Sequence, residues 1–218
     1  MSSKMLAVSD IFFTIQGEAE YTGHPSLFLR LQGCNVGCPW CDTKQTWNLD
    51  PAKVVPLESV LDKRKESDEY AVASSEDVLG AIKQYKPTRV VITGGEPCDQ
   101  NIRPLAQELL KLGIAVSVET SGTSEINLPA DAWVTVSPKI NMKKPLLQAS
   151  LDRANEIKMP VGKARDIELL EGLSLKEGVP VWLQPLSQNE AATSLCLQQA
   201  KEKGYRVSIQ THKYIGVK

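Results

Sequence analysis

Apolar residues in this chain recur in short runs, and each run ends at a polar or glycine-containing turn. Runs of about four to eight residues with such boundaries are typical of β-strands. Between the runs, apolar residues recur at helical spacing, as Val78, Leu79, Ile82 and Tyr85 do. We predict strands at residues 8–15, 25–31, 89–93, 114–119, 133–137, 154–158, 179–184 and 206–210, and helices at residues 75–85, 105–112, 163–173 and 190–203.

The alternation of strands and helices predicts parallel βαβ units. Counting from the strand at 25–31 gives about six units, whereas a complete (β/α)8 barrel needs roughly 250 residues. The chain has 218 residues, and it uses its first 25 residues and the segment after Trp47 elsewhere. We therefore predict an α/β fold of one domain, residues 1–218: an incomplete, open (β/α)6 TIM-like barrel with an N-terminal strand extension.

The segment at 48–75 is polar and interrupts this rhythm. It carries no catalytic pattern, and we predict a short helix at 57–65 within it. Its composition is typical of an insertion that runs over the surface.

Polar residues fall at or just after the predicted strand ends, where barrel-like α/β folds carry their active sites. A surface loop needs no particular polar residue, so their coincidence indicates a site at this face. The eight residues are Thr93, Glu96, Glu119, Ser137, Lys139, Lys158, Gln184 and His212.

Three cysteines, Cys34, Cys38 and Cys41, lie within eight residues at the end of an apolar run. Electron-transfer clusters commonly use four protein thiolates, so a three-cysteine cluster would leave one iron open to bind another molecule. The alternative is a structural zinc site, which needs a fourth ligand such as Cys98. Zinc would leave the glycine-rich sequence just before Cys98 unexplained.

Composition excludes several other classes. The formal net charge is −1, which gives no electrostatic case for binding nucleic acid or an anionic membrane. The N-terminal residues match neither a signal peptide nor a membrane span, so we expect a cytoplasmic protein. In that reducing compartment, five cysteines favour a metal site over disulfides.

Two motifs together resemble the radical S-adenosylmethionine (SAM) superfamily. The first is Cys34-x3-Cys38-x2-Cys41 with Trp40 before the last cysteine, and the second is the glycine-rich sequence from Thr93 to Pro97. The resemblance implies a barrel of the radical SAM type, a 4Fe-4S cluster on the three cysteines, and adenosylmethionine bound to the open iron. It also implies that the glycines bring the backbone close to the methionine group, whose ammonium Glu96 would bind.

Further motifs resemble the 7-carboxy-7-deazaguanine synthase family, in its enterobacterial form. They are the sequences at 14–18, 33–43, 91–97, 119–122, 136–139, 183–185 and 210–213. The resemblance implies conversion of 6-carboxy-5,6,7,8-tetrahydropterin to 7-carboxy-7-deazaguanine with loss of ammonia, on the route to queuosine and other deazapurines. It also implies a homodimer, a flavodoxin-like electron donor and Mg2+.

Family resemblance, rather than spacing, assigns most individual roles. It places Trp40, Cys41, Asp42, Gly95, Glu96, Glu119, Ser137, Pro138, Lys139 and Gln184 at the cofactor. It places Ile15, Gln16, Gly17, Glu18, Arg30, Thr93 and His212 at the pterin, and gives Thr43 to Mg2+. An arginine suits the substrate carboxylate because it can bind it with two hydrogen bonds.

Several alternatives remain open at this point. The chain could be a radical enzyme of another kind, such as a glycyl-radical activator that acts on a protein, or a zinc- or cluster-binding module without catalysis. From pattern alone, Arg30 could face water, and Glu18, Thr43 and His212 could be ordinary loop residues. Cys98 is expected to be a bystander thiol, Cys196 a core residue, and Trp47, Trp133 and Trp182 packing residues.

Overall fold

The computed structural model describes residues 5–218. Residues 1–4, part of the segment in which we found no leader pattern, lie outside the described part. One nine-stranded sheet has the order β3-β1-β2-β4-β5-β6-β7-β8-β9. The strands are β1 (Met5–Ile15), β2 (Pro25–Leu31), β3 (Ala71–Ser74), β4 (Arg89–Gly94), β5 (Ala115–Thr120), β6 (Trp133–Val136), β7 (Glu156–Val161), β8 (Val181–Pro185) and β9 (Arg206–Val207).

Neighbouring strands from β2 to β9 pair in parallel, whereas β1 runs antiparallel to both β2 and β3. Because the strand order starts at β3 and ends at β9, the sheet curls without closing. The predicted open barrel with its N-terminal strand extension is confirmed.

The helices follow their strands as predicted, with two additions. They are α1 (Ser75–Gln84), α2 (Arg103–Lys111), α3 (Gln148–Arg153), α4 (Ala164–Glu171), α5 (Glu190–Lys203) and α6 (Thr211–Ile215). Ser74 and Asp77 form a capping box at the start of α1, and Gly204 ends α5 with a φ of 74°. None of the helices in the described part is long and apolar enough to cross a membrane.

Strand alternation separates the core from the functional face. On β2, Leu27, Leu29 and Leu31 are fully buried in the hydrophobic core, whereas Phe28 and Arg30 point to the concave side. On β7, the core residue Ile157 is followed by Lys158 on the concave side. The period of two along each strand therefore turns the polar residues of the strands into one cavity.

The prediction for the segment after Trp47 is wrong in two respects. The helix at 57–65 is only a 3-10 turn, Leu57–Val60, because Asp62 has a φ of 50° and its N–H donates to the Ile11 carbonyl of β1 at 2.9 Å. The segment is also more than a surface excursion. Val60 and Tyr70 are 0% and 2% exposed, and its last residues form the edge strand β3.

The C-terminal strand prediction at 206–210 is only partly right. Strand β9 ends at Val207, and the unpredicted α6 begins at Thr211. The N–H of Thr211 donates to the Gly17 carbonyl at 3.0 Å. This contact with the N-terminal hairpin draws the chain away from the sheet edge and brings His212 towards the concave side.

Candidate active site

A cavity of about 310 Å³ lies on the concave side, at the carboxyl ends of the parallel strands. All eight polar residues predicted at strand ends line it. Of the residues assigned by resemblance to the cluster, adenosylmethionine, Mg2+ or pterin, all line it except Pro138, which is buried nearby in the sequence after β6. The structure therefore gathers in one place residues from Ile15 to His212.

The three cysteine thiols of the loop at 34–41 share one wall of this cavity. None of the three forms a disulfide. Burial raises the pKa of the Cys34 and Cys38 thiols, and the nearby Lys139 ammonium opposes that rise at Cys38. Burial alone disfavours the thiolate, so a cation such as Lys139 or a bound metal centre is needed for these cysteines to act as thiolate ligands.

Cys41 shows most directly that the loop fits an iron–sulfur cluster. Its sulfur accepts two hydrogen bonds, from the backbone N–H of Thr43 and from Nε1 of Trp47, each at 3.4 Å. Donors of this kind stabilise the negative charge that thiolate ligands and cluster sulfurs carry. Trp47 therefore does more than pack, contrary to the prediction from sequence.

The zinc alternative gains no support. Across residues 5–218, no three His, Cys, Asp or Glu side chains are arranged to hold a single metal ion. Burial, with a contribution from Glu96, raises the pKa of the Cys98 thiol to about 12, and Cys98 does not line the cavity. A thiol that resists ionisation in this way is a poor fourth ligand.

The glycine-rich motif is joined to the cysteine loop by backbone hydrogen bonds. The N–H of Gly95 donates to the Leu31 carbonyl at 2.9 Å, and the N–H of Glu96 donates to the Gly33 carbonyl at 2.8 Å. A Cβ on Gly95 would lie 2.1 Å from the Gly33 carbonyl oxygen, and one on Gly94 would lie 2.3 Å from the Leu31 nitrogen. The glycines are thus required first for approach to the chain's own backbone.

Glu96 is held by four donors, although it is only 1% exposed. Its Oε1 accepts from the Cys98 N–H at 3.0 Å and from the Thr120 hydroxyl at 2.6 Å, and its Oε2 accepts from the N–H and hydroxyl of Ser121. A bound ammonium would have to share these acceptors. Thr120 and Ser121 were not identified from sequence, although they follow Glu119 at a strand end.

A buried charge network crosses the opposite wall. The Lys158 ammonium donates to the carboxylates of Glu18 and, at 2.9 Å, Glu119. Gln16 donates to the other oxygen of Glu119 at 3.0 Å, and Gln210 donates to the other oxygen of Glu18 at 2.8 Å. Burial favours a raised pKa for Glu18, but Lys158 and the other donors outweigh it and lower the pKa to about 2.

His212 sits where the N-terminal hairpin meets α6. A Cβ on Gly17 would lie 2.1 Å from its Nδ1, so the hairpin turn fits against the imidazole only with glycine there. Burial lowers the pKa of His212, and Glu18 partly counters this. The imidazole is therefore held largely neutral, with a donor and an acceptor nitrogen available.

The other end of the cavity is aromatic and cationic. Phe12 and Phe28 stack with ring centroids 5.4 Å apart, and Arg30 lies over the Phe12 ring at 5.6 Å. Arg30 has no ion-pair partner within residues 5–218. Lys218 also lies over Phe12, at 4.4 Å, while its ammonium pairs with Asp10. An unpaired guanidinium in a cavity wall is suited to an anionic group of a ligand.

Thr43 places a hydroxyl at the edge of the cysteine loop. Its Oγ1 lies 3.6 Å from the Cys41 sulfur, and its carbonyl accepts from the Thr46 N–H and hydroxyl at 2.9 and 2.8 Å. The hydroxyl has no oxygen partner among the described residues. One such oxygen fits Mg2+, which takes few protein ligands and keeps several waters.

Comparison with known proteins agrees with this geometry. The model of the radical SAM superfamily matches residues 29–137, and superfamily membership confirms the predicted 4Fe-4S cluster and S-adenosylmethionine. The 7-carboxy-7-deazaguanine synthase of Escherichia coli (strain K12) is 48% identical over 96% of this chain and 98% of its own length. The 7-carboxy-7-deazaguanine synthase of Buchnera aphidicola subsp. Schizaphis graminum is 41% identical over 97% of this chain and 98% of its own length.

A solved structure is also similar. The crystal structure of QueE from Escherichia coli matches with a TM-score of 0.89 and 46% identity, covering 94% of each chain. Sequence and fold therefore agree over nearly the whole length of the chain. This chain therefore belongs to the 7-carboxy-7-deazaguanine synthase family of the radical SAM superfamily.

Proposed function

We propose that this chain converts 6-carboxy-5,6,7,8-tetrahydropterin to 7-carboxy-7-deazaguanine and ammonia, a step towards queuosine and related deazapurines. One observation carries the proposal. A single cavity holds the cysteine loop and the motif from Gly94 to Glu96 on one wall, and Gln16, Glu18 and His212 on the other. A glycyl-radical activator needs the first wall but has no use for the second.

The cofactor side of the cavity follows from its donors and acceptors. Cys34, Cys38 and Cys41 would hold the cluster, and Glu96, Glu119, Ser137, Lys139 and Gln184, with the segment at 40–42, would hold adenosylmethionine. Bound together, these groups supply the one-electron chemistry that starts the rearrangement. Lys139 donates to the hydroxyl and carbonyl oxygens of Ser137, which fixes the chain after β6.

The substrate side binds by complementary polarity. Arg30 would bind the pterin carboxylate, because its guanidinium is unpaired and supports two parallel hydrogen bonds. Gln16, Glu18, Thr93 and His212 present amide, carboxylate, hydroxyl and imidazole groups to the pterin edge, and the backbone of Ile15 and Gly17 completes that surface. The aromatic wall of Phe12 and Phe28 excludes water from the reacting ring.

We also propose that the Thr43 hydroxyl would help to hold Mg2+, whose charge would help to orient the substrate carboxylate for ring contraction. Two further proposals concern partners: a homodimer, and a flavodoxin-like electron donor, both as the family resemblance implies. Trp40, next to Cys41, is 43% exposed, so the cysteine loop is accessible to such a donor. A reducing compartment, and hence the cytoplasm, suits cysteines that are free in the described part.

The deciding experiment uses protein reconstituted anaerobically with iron and sulfide. It is reduced and incubated with adenosylmethionine, Mg2+ and 6-carboxytetrahydropterin, and the products are identified by mass spectrometry. Deazaguanine product and ammonia in equal amounts are expected. Cleavage of adenosylmethionine to 5′-deoxyadenosine without deazaguanine would overturn the proposal and favour a radical enzyme with another substrate.

A second arm tests the metal proposal. Thr43→Ala is expected to retain adenosylmethionine binding and to lose stimulation by Mg2+, whereas Thr43→Ser keeps the hydroxyl and is expected to keep the stimulation. Equal Mg2+ dependence in the wild type and Thr43→Ala would contradict the assignment.

A further inference from the structure

Lys158 is a buried cation on β7 to which family resemblance gave no role. Its side chain is 6% exposed and lines the cavity between the two walls. It donates to Glu18, which belongs to the N-terminal hairpin on the proposed substrate side. It also donates to Glu119, which lies at the end of β5 on the proposed cofactor side.

We propose that Lys158 is a positioning residue that fixes the Glu18 and Glu119 carboxylates relative to each other, and thereby sets the pterin against adenosylmethionine. The inference rests on the proposed function, because that function assigns Glu18 to the pterin and Glu119 to adenosylmethionine.

The charges explain why a lysine is needed at this point. The Glu18 and Glu119 side chains are 13% and 20% exposed and share one cation. Their remaining bonds come from the neutral amides of Gln210 and Gln16. Two desolvated carboxylates this close would repel each other without the ammonium, and would separate or take up a proton.

The ammonium also has capacity left for a ligand. It carries three N–H donors, and two of them bond to the carboxylates. No third acceptor for Lys158 exists within residues 5–218. The remaining N–H can therefore donate to a lone pair of a bound molecule without disturbing either glutamate.

A positioning role has a pH signature that a purely structural role lacks. Without Lys158, burial would raise the pKa of Glu18 from its present low value. The charged groups that face Glu18 are Lys158 from β7, Glu119 through the shared cation from β5, and His212 from α6, with Lys213 bonded to Gln210. Among these groups, Lys158 is the one replaced in the Lys158→Met and Lys158→Arg variants compared below, and its removal also takes away one influence that lowers the pKa of His212.

The test uses reconstituted but unreduced protein, so that ligands bind without turnover. Binding of adenosylmethionine and of 6-carboxytetrahydropterin is measured separately between about pH 6 and pH 8 for the wild type, Lys158→Met and Lys158→Arg. Lys203→Met is the matched control, because Lys203 pairs with Glu171 at 2.6 Å on the exposed surface.

Lys158→Met is expected to bind both ligands more weakly. The loss of pterin affinity should grow as the pH falls and reach about tenfold relative to the wild type at the acid end. Lys158→Arg should restore the flat pH dependence, and Lys203→Met should match the wild type. In turnover, Lys158→Met should raise KM for the pterin and release more 5′-deoxyadenosine per product.

Failure of the proposed function and failure of the positioning role of Lys158 give different outcomes. If the wild type binds no pterin, the proposed function fails. If the wild type binds both ligands and Lys158→Met binds them equally well with the same pH dependence, the positioning role fails. If Lys158→Met does not fold, the double variant Lys158→Met/Glu119→Gln removes the repulsion by replacing one of the two carboxylates. The pterin affinity of this double variant must still decrease as the pH falls.

Discussion

The indole Nε1 of Trp47 donates a hydrogen bond to the sulfur of Cys41 at 3.4 Å. Trp47 lies six residues after Cys41 and just before the segment at 48–75, so the chain leaving the cysteine loop contributes directly to the environment of the proposed cluster. The Thr43 N–H bonds to the same sulfur at 3.4 Å.

Trp47→Phe should lower the reduction potential of the cluster, because removing an N–H donor leaves negative charge on the sulfur less stabilised. An aromatic ring remains at this position and none of the three cysteines is changed, so iron content should not change. A redox titration followed by electron paramagnetic resonance measures the shift. Trp182→Phe is the control, since the Trp182 Nε1 is buried without a partner in the described part. An unchanged potential in Trp47→Phe would contradict the prediction.

Arg30→Ala should weaken binding of the pterin by roughly ten- to a hundredfold, because this is the loss of affinity expected when hydrogen bonds to a charged group are removed. Adenosylmethionine affinity should change little. Thermal stability should also stay close to that of the wild type, because Arg30 has no ion pair to lose among the described residues. Separate titrations with the two ligands measure this. An equal loss of affinity for the pterin and for adenosylmethionine would contradict the assignment of Arg30 to the pterin carboxylate.

Gly95→Ala should destabilise the protein by about 3 kcal/mol, the upper end of the cost of overpacking. The added methyl group would lie 2.1 Å from the Gly33 carbonyl oxygen and would push the cysteine loop away. Denaturant unfolding and iron content report both effects. Gly80→Ala is the control: a Cβ there meets nothing within 4 Å, and alanine favours the helix by about 0.5–1 kcal/mol.

Stability should fall on acidification, and His212 should account for the first part of the fall. Its pKa is lowered in the folded protein, so the unfolded chain takes up a proton first as the pH drops through its ordinary value of 6.5. Glu18 has a folded pKa of about 2 against an ordinary 4.5, so its contribution is complete above 4.5 and is lost only below it.

Two variants check the assignment by thermal unfolding between about pH 6 and pH 8. The effect of His212→Gln on stability should change across this interval. The effect of Glu18→Gln, measured in the His212→Gln background so that no imidazole responds to the lost charge, should be constant, because Glu18 is ionised there in both states. A pH-dependent effect of Glu18→Gln would show that Lys158 does not hold its pKa down.

Elements with local signals were predicted well. Strand β2 and helix α5 have the predicted bounds, because Pro25 follows a turn, the Asn189 side chain caps α5 and Gly204 ends it. By contrast, β3 and α6 were missed. Their conformations depend on pairing with β1 and on the bond from Thr211 to Gly17, partners that lie far away in the sequence.

The site residues likewise divide into those with a local sequence signal and those that depend on distant partners. Polar residues at strand ends could be recognised one at a time, since parallel strands present the same edge. The bridge made by Lys158 could not, because its partners Glu18 and Glu119 are 140 and 39 residues away. Likewise, the hydrogen bond of Trp47 to Cys41 depends on how the chain turns between them.

The bond between Thr211 and Gly17 spans 194 residues and has a consequence for the order of assembly. The cysteine loop and the sequence from Gly94 to Glu96 meet through β2 and β4, which are neighbours early in the chain. The wall that would receive the pterin is completed only when α6 docks on the N-terminal hairpin. During synthesis the cluster-binding side can therefore form before α6 is made and before the pterin side of the cavity is complete.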